Sequence, residues 1–173
     1  MLNKKKVKKI KLFVMDVDGV LTDGGIYYDK QGNEFKKFNM VDGKGILLLK
    51  KANIKTAIIT GENNIIAKKR SEKLKIDFCV TGSKNKLEDL KKIIKKENLS
   101  LEEVAYVGDG INDYNIMKKV AIPIAVKNAT KEIKKISKIK LKRKGGEGAI
   151  DEAATRLLKK RDEYEQMIKK VLI

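Results

Sequence analysis

With 173 residues, 42% of them hydrophobic, the chain can bury a core of its own, so one domain spanning residues 1–173 is expected. It has no histidine and a single cysteine, Cys79, which excludes Ser–His hydrolysis, histidine-bound zinc, a thiolate metal cage and an internal disulfide framework. Its 41 basic residues against 23 acidic ones give a net charge of +18, but aromatic residues make up only 5%, so the charge suits small anions better than stacked bases.

The basic start, MLNKKKVKKIKLFVM, leads into carboxylates without a long apolar stretch or a small-residue cleavage site. It reads as a strand rather than a leader, and the cytoplasm is the expected location. Lys11–Asp16 is a short apolar run, suited to a buried strand. Gly25–Tyr28 and Glu34–Phe38 read as a hairpin joined by the turn formers Asp29–Asn33. Asp42–Lys51 has helical apolar spacing, Thr56–Ile59 is a second core strand, and Asn64–Leu74 is a basic helix. Phe78–Val80 is a third strand, with Cys79 expected in the core. Asn85–Glu97 is an amphipathic helix, and Ser100 with Glu103 has the spacing of a capping box. Val104–Val107 and Ile122–Val126 are further strands, separated by a helix at Tyr114–Lys119. A helix at Thr130–Ser137, a short strand at Ile139–Leu141 and a break at Gly145–Gly148 follow. One terminal helix is expected over Ile150–Lys170, within a tail covering 144–173.

Alternating strands and helices predict an α/β fold, a doubly wound parallel sheet with helices on both faces. Ligands bind such sheets beyond the carboxyl ends of the strands. Polar residues directly after apolar strands therefore meet in space. Three sites qualify: Asp16 and Asp18 in DVDGVLTD, Thr60 and Gly61 in IITG, and Asp109 in YVGDGIND. Asp16 and Asp18 share one side of a continued strand, and Gly19 permits a sharp turn after them. Two carboxylates so close repel unless a cation intervenes, and Mg2+ suits oxygen-only ligands. An EF-hand calcium loop fits poorly, because its glycine falls at the sixth loop position and Gly19 would fall at the fourth.

These motifs resemble the haloacid dehalogenase superfamily, in order and over nearly the whole chain. The resemblance implies an Asp16 nucleophile that forms an aspartyl phosphate and an Asp18 acid–base. It also implies phosphate contacts from Thr60, Gly61 and Lys86, with Asp113 orienting Lys86. Mg2+ would be held by Asp16, Asp109 and the backbone carbonyl of Asp18. Lys84 rivals Lys86 for the lysine role. The interval between the first two motifs is too short for a large cap domain, so the fold is expected to be capless.

Two further segments resemble the 3-deoxy-sugar-acid phosphate phosphatases within that superfamily. LTDGGIYYDKQGNEFKKFNMVDGKGI is similar to their flap, with the hairpin at 24–38, and KRKGGEGAIDE to their tail. The resemblance implies a homotetramer joined through the hairpins and a small anionic sugar-phosphate substrate. It implies no nucleic-acid or membrane partner. Val41, Gly110 and Asp151 depart from the family pattern, Val41 and Asp151 standing where arginine is common. TGENNIIAKKRSEKLK is similar to the nonulosonate branch, with Glu62, Arg70 and Lys73 as substrate-binding residues. The expected substrate is therefore a nonulosonate (KDN or N-acylneuraminate) 9-phosphate. The alternatives are 3-deoxy-D-manno-octulosonate 8-phosphate and, in other classes, a nucleic-acid-binding module or 3′-phosphatase, or an inactive assembly partner.

Overall fold

The central strand begins where Lys11 gives way to four apolar side chains, Leu12–Met15. The computed structural model describes residues 3–172. Helix α1 (Lys4–Lys8) precedes the first strand, β1 (Leu12–Met15). The hairpin strands β2 (Tyr27–Tyr28) and β3 (Glu34–Phe35) come next, then helix α2 (Asp42–Lys51). The chain continues through β4 (Lys55–Ile59), α3 (Ile65–Leu74), β5 (Phe78–Val80), α4 (Lys86–Lys96) and β6 (Val104–Gly108). It finishes with α5 (Tyr114–Met117), β7 (Ile122–Ala125), α6 (Lys131–Ile136), β8 (Ile139–Lys140), α7 (Ala149–Arg161) and α8 (Tyr164–Leu172).

Six strands form one parallel sheet in the order β5-β4-β1-β6-β7-β8. Strand β1 is central, with Phe13 opposite Thr56 on one side and Ala105 on the other. The chain winds outward first toward β5 and then toward β8, so the topology switches at β1. All residues of β1, β6 and β7 are buried, as a parallel sheet covered on both faces requires. Helices α1, α2, α7 and α8 pack together as one layer, and α4, α5 and α6 as the other.

Local chemistry sets the helix starts. Asn64, Asn85 and Thr130 cap α3, α4 and α6, their side-chain oxygens accepting from the N–H groups of Ile66, Glu88 and Ile133. The Ser100–Glu103 capping box forms as its spacing predicts. The expected single terminal helix is two helices. Asp162 takes a left-handed conformation at φ 64° and ends α7, with its carboxylate 2.5 Å from Lys4. Helix α1 was not anticipated. It is pinned by Arg161, whose guanidinium donates to the carbonyls of Val7, Lys8 and Ile10. Cys79 is exposed, contrary to the expected core position, because β5 is an edge strand with a neighbour on one side only.

The hairpin stands apart from the main sheet as a two-stranded ribbon. Asp29 shapes its turn by accepting from the N–H groups of Gln31 and Asn33. Ile26, Tyr27, Tyr28 and Phe35 are exposed on it.

Candidate active site

Asp16 leaves the carboxyl end of β1 and is 3% exposed. One of its oxygens accepts from the Val17 N–H at 2.7 Å. The other lies 2.7 Å from the Lys86 ammonium, which is also 2.7 Å from Asp113. Lys86 arrives from the first turn of α4, the helix that Asn85 caps. Asp113 is fully buried and committed: Oδ1 also accepts from the Tyr106 hydroxyl at 2.7 Å, and Oδ2 accepts from the Asp109 N–H at 3.0 Å. Lys84 lines the neighbouring cavity but makes no such contact, so the geometry separates it from Lys86.

Carboxylate oxygens of Asp16, Asp109 and Asp113 all fall within 4.8 Å of one another. Burial, then repulsion from Asp113, pushes Asp16 up to about 7 against the pull of Lys86. Burial and Asp113 likewise push Asp109 up to about 6. Burial would lower Lys86, but Asp16 and Asp113 outweigh it and raise it. One ammonium among three carboxylates leaves an excess of negative charge, and the donors are all oxygen. This arrangement fits a hard divalent cation. Asp113 already accepts from Lys86, Tyr106 and the Asp109 N–H, so Asp16 and Asp109 are the carboxylates more available to it.

Asp18, Thr60, Gly61, Glu62, Asp109, Gly110 and Asn112 join Asp16 around one cavity of about 250 Å3. Thr60 is buried just beyond β4, and its hydroxyl oxygen accepts from the Glu62 N–H at 3.3 Å. Gly19 is obligatory in the turn after Asp18: its φ is +77°, and a Cβ there would lie 2.2 Å from Asp109 Oδ2.

The structure does not bring Arg70 and Lys73 to this cavity. Arg70 donates to the Asn39 carbonyl at 2.7 Å and lies over the Phe38 ring, under the base of the hairpin. Lys73 is exposed and lines no part of the cavity. The residue that sequence reasoning missed is Lys36. It reaches back from the end of β3, and its ammonium contacts Asp18 at 2.8 Å, Glu34 at 3.4 Å and Glu62. Its side chain is 2% exposed. Glu34, Lys36 and Phe38 alternate on one face of the extended chain, and that was the available signal.

The tail braces the loop after Asp18 from behind. Gly146 N–H donates to the Val20 carbonyl, and Gly145 N–H donates to Asn128, whose own amide donates to the Gly19 carbonyl. A Cβ on Gly145 would lie 1.8 Å from that carbonyl oxygen. Asp151 is buried near the start of α7 and pairs with Arg143 at 3.1 Å. It also lies 3.3 Å from Lys44 of α2 and does not line the cavity.

Paired aspartates at the switch point of a parallel sheet, with a lysine and a third carboxylate behind them, suit a hydrolase that transfers phosphoryl groups. Residues 49–150 match the family described as haloacid dehalogenase-like hydrolase. The chain is 37% identical over 153 residues to 3-deoxy-D-manno-octulosonate 8-phosphate phosphatase of Escherichia coli K12, covering 88% of this chain and 81% of that one. A structure of the phosphatase of that name from Moraxella catarrhalis, in complex with magnesium, phosphate and KDO, superposes with a TM-score of 0.93 at 34% identity over 97% of both chains. The cobalt-bound Haemophilus influenzae deoxy-D-mannose-octulosonate 8-phosphate phosphatase gives 0.88 at 30% identity over 95% of this chain and 99% of that one. The chain belongs to the haloacid dehalogenase-like hydrolases and is a phosphatase.

Proposed function

We propose that the protein is a Mg2+-dependent phosphatase of 3-deoxy-D-manno-octulosonate 8-phosphate. The observation that carries the chemistry is the buried Asp16–Lys86–Asp113 group with Asp109 beside it. The relatives named above, similar over most of both chains, support the substrate. The expected preference for a nonulosonate 9-phosphate gives way to this alternative. It rested chiefly on Glu62, and the relatives favour the octulosonate instead.

In this reading Asp16 attacks phosphorus, and the bond from phosphorus to the leaving oxygen breaks. Asp18 gives that oxygen its proton. It then takes a proton from the water that hydrolyses the aspartyl phosphate. Lys86, Thr60 and the Gly61 backbone hold the phosphate oxygens. The Asp16 and Asp109 side chains and the Asp18 carbonyl would hold Mg2+, which would supply the positive charge that lets an anionic phosphate approach a carboxylate.

The assembly proposed is a homotetramer of single-domain chains joined through the hairpins, acting in the cytoplasm without nucleic-acid or membrane partners. Exposed Tyr27, Tyr28 and Phe35 support the interface, since an isolated two-stranded ribbon is only marginally stable. Among the described residues, no helix is long and apolar enough to cross a membrane. Lys91 and Lys92 are occupied by Glu88 and Asp89 of their own helix, which disfavours a phosphate-backbone track. Turnover of octulosonate 8-phosphate and a nonulosonate 9-phosphate, compared with Mg2+ present, tests the substrate. A higher kcat/KM for the nonulosonate would overturn it. Light scattering tests the assembly, and a monomer at micromolar concentration would refute the hairpin interface.

A further inference from the structure

We propose that Lys36 is a specificity-determining residue that binds a carboxylate on the leaving group of the substrate, with Glu62 as the placeholder it releases. This rests on the sugar-acid reading above and names the group that reads the acid.

Position comes first. The transferred phosphate belongs at Asp16, Lys86 and Thr60. A leaving group then extends outward past Asp18 and Glu62, which both line the cavity. Lys36 does not itself line the cavity, but its ammonium bridges these two lining side chains, and moving Glu62 aside exposes it to the outer end of the leaving group, away from phosphorus. Lys86 is engaged behind the nucleophile and Arg70 under the hairpin, so neither is directed at the outer end.

Charge is the second argument. Lys36 faces three carboxylates with one ammonium, and its side chain is almost wholly removed from solvent. Burial would lower its pKa, but Asp18 and Glu62 outweigh that and hold it charged. A carboxylate-rich ammonium can exchange one partner for a substrate carboxylate without losing its coordination.

The partners differ in how firmly they are held. Glu34 also accepts from the Asn64 amide at 2.9 Å. Asp18 sits on the braced catalytic loop. Glu62 has the most exposed side chain of the three, at 48% against 33% for Asp18 and 26% for Glu34. It is the partner that water most readily takes back. Glu62 alone would repel an acid substrate. Paired with Lys36, it keeps a cation in place until the acid arrives.

The experiment compares octulosonate 8-phosphate with ribose 5-phosphate, a sugar phosphate without the carboxylate. The readout is the ratio of their kcat/KM values in wild type, Lys36→Met, Lys36→Arg and Glu62→Gln. Lys36→Met should reduce the preference for the acid by about tenfold or more, chiefly through its KM, and Lys36→Arg should keep most of it. Glu62→Gln should lower KM for the acid, because its competitor is gone. If Lys36→Met slows both substrates in the same proportion, the lysine serves Asp18 alone and the proposal fails. It also fails if Glu62→Gln raises KM for the acid. A wild type without preference for the acid would overturn the substrate reading itself, and that result appears before any variant is made.

Discussion

The Lys86 ammonium stands 2.7 Å from an Asp16 oxygen, and both side chains are shielded from solvent, at 5% and 4% exposure. A phosphate brought to Asp16 therefore meets a cation already in position. The lysine is fixed by a helix start on one side and by Asp113 on the other. The two side chains form one unit, the proposed nucleophile and its phosphate binder.

Asp16→Asn keeps the shape of that unit and removes its nucleophile. Turnover of 4-nitrophenyl phosphate should fall by about a thousandfold or more, with the circular dichroism spectrum unchanged. Near-normal activity would sink covalent catalysis at this residue.

Lys86→Met leaves Asp16 and Asp113 buried without their counter-charge. Breaking such a group typically costs about 3–5 kcal/mol, so a clear drop in the urea midpoint is expected along with loss of turnover. Adding Asp113→Asn should recover part of the stability and none of the activity. If the double variant is no more stable than Lys86→Met, charge imbalance is not the cause.

Chelation should stop turnover and added Mg2+ should restore it. Mg2+ should also raise the melting temperature of the wild type, because it relieves repulsion among the three aspartates. Asp109→Asn should blunt both responses. A variant that binds and responds to Mg2+ like wild type would remove Asp109 from the metal site.

Asp42 gives a pH prediction outside the cavity. It is fully buried, and one oxygen accepts from the N–H groups of Ile150 and Asp151 at the start of α7. The other oxygen has no partner. Burial dominates and lifts Asp42 to about 6, with Asp151 adding repulsion and Arg70 opposing it. A folded pKa above the unfolded one contributes stability that is full below about pH 4 and lost as pH rises through about 6. Over that window the loss is on the order of 2–3 kcal/mol. Wild type should therefore lose stability relative to Asp42→Asn between pH 4 and pH 7. A pH-independent difference in their urea midpoints would refute this.

The aspartates were legible because each follows an apolar strand, and strand order alone brings such residues to one edge. The lysine was legible only through family order. Spacing puts Arg70 and Lys73 on one helical face but does not say what that face meets, and here Arg70 meets Phe38 and Asn39. Lys36 was hidden among many lysines, since its role depends on how the ribbon folds back. The apolar triplet FCV does not reveal that β5 is an edge, so Cys79 was misplaced. The break at Asp162 carries no glycine or proline, and it was invisible for that reason.

The brace between Gly145–Gly146 and the loop after Asp18 has a consequence for the order of synthesis. The aspartates emerge from the ribosome early, with the first strand, yet the backbone that supports their loop lies more than a hundred residues later. A nascent chain can make the apolar strands and much of the sheet while its catalytic loop still lacks its backing. Competence to cleave a phosphate ester therefore arrives late in translation, after most of the charge that attracts the substrate is already outside.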